Sequence, residues 1–112
     1  VKATIWHNPR CSKSRETLAI LRAEPGVEVE IIDYLASPQS MAELSRMIGL
    51  AGLRPKEVLR RAEAAAADLA EAGQDATLAA MARDPRLIER PLVETPRGVR
   101  LCRPPEKVRE IL

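Results

Sequence analysis

The first third of the chain restricts the fold more than any other part. A short apolar run over residues 3–6 leads into His7-Asn8-Pro9-Arg10-Cys11-Ser12-Lys13-Ser14-Arg15, and a helical pattern follows over residues 17–23. Pro25 and Gly26 end that helix, and Glu28, Val29, Glu30, Ile31 and Ile32 alternate enough to form a second strand. Strand, helix and strand this close in sequence predict a right-handed parallel crossover. The first strand, Lys2 to Trp6, is expected to be central, because its apolar residues do not alternate cleanly with polar ones.

Cys11 lies in the turn between that strand and its helix. There the first backbone N–H groups of the helix lack intrahelical partners, and the positive end of the helix dipole favours an anion. Arg10, Lys13 and Arg15 add positive charge, and the thiolate is the nucleophilic form of cysteine, so Cys11 is the first candidate for chemistry. A free cysteine is more often a small buried hydrophobe. Here Asn8, Arg10, Ser12, Lys13, Ser14 and Arg15 surround it with charged or hydrogen-bonding groups, which argues against a core segment.

The rest of the chain predicts a helical middle and a β-hairpin. Ser40 to Glu43 has the spacing of a capping box, and Met41, Leu44, Met47 and Ile48 recur at helical spacing up to Gly49, the expected C-terminal cap. Pro55 suits the first turn of a further helix running through Val58, Leu59, Arg60 and Arg61 into the alanine-rich residues 62–72, with Gly73 closing it. Asp75 is expected to cap another, with Leu78, Met81 and Ala82 facing inward and Asp84-Pro85 stopping it. Leu92 to Thr95 and Val99 to Cys102 read as two strands joined at Pro96-Arg97-Gly98, and Val108, Ile111 and Leu112 as a terminal helix. The sum is an α/β fold with a thioredoxin-like outline. A mixed four-stranded sheet is flanked by helices, and a helical insertion at about 40–84 separates the parallel pair from the hairpin, all within one domain of 112 residues.

Composition excludes several classes. With no Phe, one Trp and one Tyr, the chain has little with which to stack bases, and its 18 basic and 16 acidic residues are interspersed, so nucleic acid is not an expected partner. Cys11 and Cys102 fit neither a zinc-site spacing nor a disulfide scaffold, so no metal is expected and a reducing, cytoplasmic setting is. No apolar run approaches the ~18 residues of a membrane span.

Three arginines are the candidates to converge on an anion. Arg60 follows Val58-Leu59, Arg90 precedes Pro91 at the start of the third strand, and Arg103 follows the fourth. The planar guanidinium fork matches a tetrahedral oxyanion. With these segments in view, the chain resembles the arsenate reductase family of the glutaredoxin-coupled type. Its members open with a strand followed by His-Asn-Pro-x-Cys-x-x-Ser-Arg, the pattern of residues 7–15. Leu59-Arg60-Arg61, Ile88-Glu89-Arg90-Pro91 and Leu101-Cys102-Arg103-Pro104 match further segments, in order, over essentially the whole chain. The chain departs from the family at Ala64 to Ala67, where members commonly carry a Tyr or another bulky residue.

The resemblance implies that Cys11 attacks arsenate to give a thiol-arsenate adduct and that Arg60, Arg90 and Arg103 bind the oxyanion. It implies that His7 and Ser14 help hold Cys11 as thiolate, and that Pro91 is the cis-proline opposite the active-site turn. Reduction of As(V) to As(III) takes two electrons, so a second thiol is needed. The resemblance implies glutathione as that co-substrate, glutaredoxin as the resolving partner and Cys102 as a bystander, with no bound cofactor and a monomeric protein. Two other readings remain open. One is a glutathione-dependent thiol reductase of another substrate, and the other a redox-responsive regulator that binds RNA polymerase. Such regulators often use Cys-x-x-Cys, where this chain has Ser14.

Overall fold

The computed structural model describes residues 1–112. The chain forms two compact units, Val1–Ser37 with Arg90–Leu112, and Pro38–Glu89. The first carries a four-stranded sheet of β1 (Lys2–Trp6), β2 (Glu28–Ile32), β3 (Leu92–Thr95) and β4 (Gly98–Leu101) in the order β2-β1-β3-β4. β1 pairs parallel with β2, Ile5 opposite Ile31, and antiparallel with β3, Ile5 opposite Val93. The central position expected of β1 is therefore observed, and the chain between β1 and β2 is the predicted crossover, helix α1 (Ser12–Ala23).

One face of the sheet makes the core of this unit. Ala3, Ile5 and Val93 point to the side on which Leu18 and Leu21 of α1 and Val108 and Ile111 of the C-terminal segment pack, and Cys102 is buried among them. Because side chains alternate along a strand, Trp6 and Leu92 face the other way, where Trp6 stacks on Tyr34 with ring centroids 6.5 Å apart. The hairpin between β3 and β4 turns on Pro96 and Arg97, with Thr95 opposite Gly98. Gly98 has φ +139°, a conformation open to glycine and strained for side-chain-bearing residues.

The C-terminal segment, Pro105–Ile111, is helical as expected but is a 3₁₀ helix and not an α-helix. Its buried residues Pro105, Val108 and Ile111 recur every three positions, the repeat of a 3₁₀ helix, so one row of side chains meets the sheet. Thr95 fastens it: the Thr95 hydroxyl donates to the Ile111 carbonyl at 2.6 Å and accepts the Arg97 N–H at 3.1 Å.

In the second unit, α2 (Met41–Leu50) begins at Ser40, whose hydroxyl accepts the Glu43 N–H at 3.0 Å. The helix does not stop at Gly49. It ends in a Schellman motif on Gly52, φ +71°, with the Leu53 N–H donating to Ile48 O at 3.1 Å and the Gly52 N–H to Gly49 O at 3.0 Å. Helix α3 (Gln74–Arg83) buries Leu78 and Met81, as its pattern predicts; Ala82 is only half-buried. Its N-cap is Gly73, and Asp75 sits in the first turn as a favourable negative charge.

The long helix predicted from Pro55 to Ala72 does not form. Two 3₁₀ turns, Pro55–Val58 and Ala64–Leu69, take its place, and Leu59 turns extended between them to bridge Ile88. The Glu89 N–H donates to Val58 O and the Arg60 N–H to Leu87 O, both at 2.7 Å, which buries Val58 and Leu59. Pairing and burial there outweigh alanine's helix propensity, because a row of alanines offers a helix little apolar area to bury. Arg60 consequently follows the Leu59 bridge and lies outside any helix. No helix of the chain is long and apolar enough to cross a membrane.

Thr95→Val should lower unfolding stability by about 1–3 kcal/mol, since it leaves the Ile111 carbonyl and the Arg97 N–H without their partner. Urea unfolding of the two proteins measures this, and equal midpoints would remove the hydroxyl from the account of how the C-terminal segment is held.

Candidate active site

The turn after β1 is built by bonds that leave its sulfur free. The His7 N–H continues the parallel ladder by donating to Ile32 O at 2.8 Å. Asn8 then closes the turn: its carbonyl accepts the Cys11 N–H and its side-chain oxygen the Arg10 N–H, each at 3.0 Å. Arg15 reaches back from α1, its Nη1 donating to the Pro9 carbonyl at 2.9 Å. Cys11 itself is extended, φ −96° and ψ 122°, while its carbonyl already accepts the Arg15 N–H, so it is the N-cap residue of α1.

An ordinary N-cap oxygen would accept from the N–H groups of the first turn. In this chain that place is taken by a thiol that is only 8% exposed, and the first turn of α1 holds no acidic residue. Burial is the largest influence on Cys11 and raises its pKa. Against it act the Ser14 N–H, the hydrogen-bonding and charge of the Arg90 guanidinium, and the Lys13 N–H, and together they hold the thiol below its ordinary value. The backbone donors of the first turn face the sulfur and favour its anion.

Ser14 and His7 stand behind this arrangement. Ser14 is fully buried; its Oγ accepts the Asn8 N–H at 3.0 Å and lies 2.6 Å from His7 Nδ1. With the Asn8 proton donated into the hydroxyl oxygen, the hydroxyl proton is free to point at Nδ1. Burial lowers the His7 pKa, the charges of Arg22 and Arg15 lower it further and Asp33 opposes them, so the ring is neutral near pH 7. A neutral ring supplies no counter-charge to the thiolate. Its contribution is to fix Ser14, whose N–H faces the sulfur.

Of the other predicted site residues, Arg90, Pro91 and Arg103 belong to the same unit as Cys11, and Arg60 to the other. The Arg90–Pro91 bond is cis and Pro91 is buried. Arg90 Nε is buried and has no hydrogen-bond partner, and the Arg90 carbonyl accepts from Arg103 Nη1 at 3.0 Å. Arg103 is otherwise exposed and also precedes a cis bond, to Pro104. Arg60 pairs with Glu63 at 3.2 Å. Sequence reasoning assigned no role to Asn8, although an Asn before Pro is a turn signal, and none to Arg22, whose charge acts on His7.

The alkylation rate of Cys11 by iodoacetamide should rise with pH to a midpoint below ~8.5, the free-thiol value. Arg90→Ala should move that midpoint up by about one unit. A wild-type midpoint at or above the free value would contradict the electrostatics described here.

Known proteins resemble this chain over nearly its whole length. The ArsC family model matches residues 6–111. An arsenate reductase of Rhizobium meliloti strain 1021 is 43% identical, the match covering 97% of this chain and 80% of that protein. The uncharacterized protein YfgD of Escherichia coli K12 is 41% identical over 96% of this chain and 94% of its own length. Among solved structures, an arsenate reductase from Vibrio cholerae superposes with a TM-score of 0.91 at 42% identity, covering 99% of this chain and 98% of that one. The chain belongs to the ArsC family and has that family's thioredoxin-like fold.

Proposed function

We propose that this protein is an arsenate reductase that works through Cys11 with an external thiol. The observation that carries the reading is the pairing of a depressed-pKa thiol at a helix N-terminus with a guanidinium whose Nε is buried and unpartnered. A tetrahedral oxyanion would fill that gap. Arsenate has the required shape and charge, and its arsenic is open to thiolate attack. Cys11 displaces one arsenate oxygen as water, giving a Cys11–S–As(V) adduct whose remaining oxygens the arginines hold. Arg90 is the principal donor, and Arg103, tied to the Arg90 carbonyl, both positions it and adds charge. Arg60 enters as the third arginine on the family pattern.

The second thiol comes from solution. Cys102 is fully buried in the core, donates to Arg100 O at 3.6 Å, and burial pushes its pKa to about 12, so it supplies no thiolate at neutral pH. Glutathione fits the requirement as co-substrate, with glutaredoxin resolving the mixed disulfide it leaves on Cys11. On this reading the protein needs no bound cofactor, and it acts as a monomer in the reducing cytoplasm.

Arsenite formation from arsenate, glutathione and glutaredoxin should be lost in Cys11→Ala. No turnover in the wild type, with Cys11 still reacting with oxidised glutathione, would instead favour a thiol reductase of another substrate. Arg90→Ala should weaken arsenate binding by ~1.5–3 kcal/mol, the range for hydrogen bonds to charged groups. Arg103→Ala should weaken it by about 1 kcal/mol or less, because Arg103 is exposed. Isothermal titration of arsenate into each variant, Arg60→Ala included, ranks the three; equal affinities throughout would sink the arginine clamp.

A further inference from the structure

In the second unit Arg60 is ion-paired and yet keeps its anion-binding edge open. The backbone brings its partner to it: the Glu63 N–H donates to Arg60 O at 3.1 Å, and the Ala66 N–H to Glu63 O at 3.0 Å. Glu63 is the N-cap residue of the 3₁₀ turn Ala64–Leu69, but its carboxylate makes no capping hydrogen bond there. It accepts instead from Arg60 Nη1 at 3.2 Å, and both side chains are mostly buried, 32% exposed for Arg60 and 25% for Glu63.

Which nitrogen carries the pair decides what remains for a ligand. The edge of a guanidinium formed by Nε and Nη2 matches two oxygens of a carboxylate or of a tetrahedral anion. Arg46 and Arg86 give that whole edge to a carboxylate, and Arg54 and Arg100 give Nε. Arg60 gives neither nitrogen. Its Nη1 alone is engaged, and its Nε and Nη2 donate to no atom of the molecule. Arg90 likewise keeps Nε without a partner. Arg86, on which the Glu63 charge also acts, is held by both oxygens of Asp84 and does not compete with Arg60 for Glu63.

We propose that Glu63 is a positioning residue for the oxyanion site: by holding Nη1 it fixes the Arg60 guanidinium with the Nε–Nη2 edge presented to the anion. The inference rests on the reading of Arg60 as an oxyanion-binding arginine. Two effects of Glu63 oppose each other. A carboxylate repels a nearby anion, whereas a long side chain ordered in advance spares the cost of ordering it on binding. The repulsion is largely offset, because Glu63 is neutralised by the guanidinium it holds. The ordering is the greater effect, since arginine is among the side chains that lose most rotamer freedom.

The test combines isothermal titration of arsenate with the order parameter of the Arg60 Nε–H in the free protein, read by nitrogen relaxation. Glu63→Ala should weaken arsenate binding about threefold to tenfold, the scale of ordering one long side chain. Glu63→Gln keeps an oxygen for Nη1 and drops the charge, so it should bind arsenate at least as tightly as the wild type. In an Arg60→Ala background Glu63→Ala should cause no further loss, whereas a merely structural role would lower affinity equally in both backgrounds. The Arg60 order parameter should fall in Glu63→Ala and hold in Glu63→Gln. Unchanged or tighter binding in Glu63→Ala, the same loss in both backgrounds, or an unmoved order parameter overturns the proposal. If Arg60→Ala weakens arsenate binding and Glu63→Ala does not, the inference fails alone. If Arg60→Ala binds arsenate as the wild type does, the reading of Arg60 fails and takes the inference with it.

Discussion

The site depends on backbone donors that the start of α1 leaves without partners. In most helices a serine, threonine or aspartate oxygen at the N-cap takes up such donors, and an acidic side chain in the first turn offsets the dipole. Here neither is present, and the Lys13 and Ser14 N–H groups act on the Cys11 sulfur. The turn is instead secured by the Asn8 carbonyl and side-chain oxygen, the Ser14 hydroxyl and the Arg15 guanidinium, none of which is a group acting on the sulfur. Stability of the turn and reactivity of the thiol therefore draw on different atoms. An aspartate at position 11 would cap the helix better and remove the nucleophile.

The two cysteines show how far environment decides the chemistry of one functional group. Both are buried, Cys11 at 8% exposure and Cys102 at 0%. For Cys102 desolvation dominates and the thiol is driven up to about 12, where it behaves as a small hydrophobe between the sheet and the C-terminal segment. For Cys11 desolvation is again the largest influence, yet two N–H groups and a guanidinium outweigh it. Burial then helps the anion's chemistry, because the same donors act more strongly where water is partly excluded.

Most of the sheet and the position of Cys11 were legible in the sequence, because they rest on local signals. The limits of β1 and β2 follow from apolar runs bounded by a polar turn and by Pro25-Gly26, and the hairpin follows from its turn residues. Residues 55–72 were misread as one helix because the decisive interaction, Leu59 bridging Ile88, joins positions far apart in sequence and leaves no local trace. Gly49 was mistaken for the cap in place of Gly52 for a subtler reason. Both glycines suit a helix end, and only the positive φ of Gly52 with its paired carbonyls distinguishes them. At the site, residue types were readable and relations were not. The polar character around Cys11 marks a turn, but that Arg90 stands against it depends on the order of strands in the sheet.

Arg90 also explains why the third strand begins as it does. A buried guanidinium nitrogen without a partner carries a desolvation cost of about 1–3 kcal/mol, which a free surface arginine would avoid by moving into water. Its backbone prevents much of that movement. Pro91 is buried directly after it, Leu92 is locked in register between Trp6 and Leu101, and the Arg90 carbonyl is held by Arg103. The sheet thus holds the donor where an anion would satisfy it. On the proposed function, binding such an anion would remove a penalty already present in the folded state and so link ligand affinity to fold stability through one nitrogen. Preorganisation of this kind is what lets a small protein hold a charged ligand without reordering itself on binding.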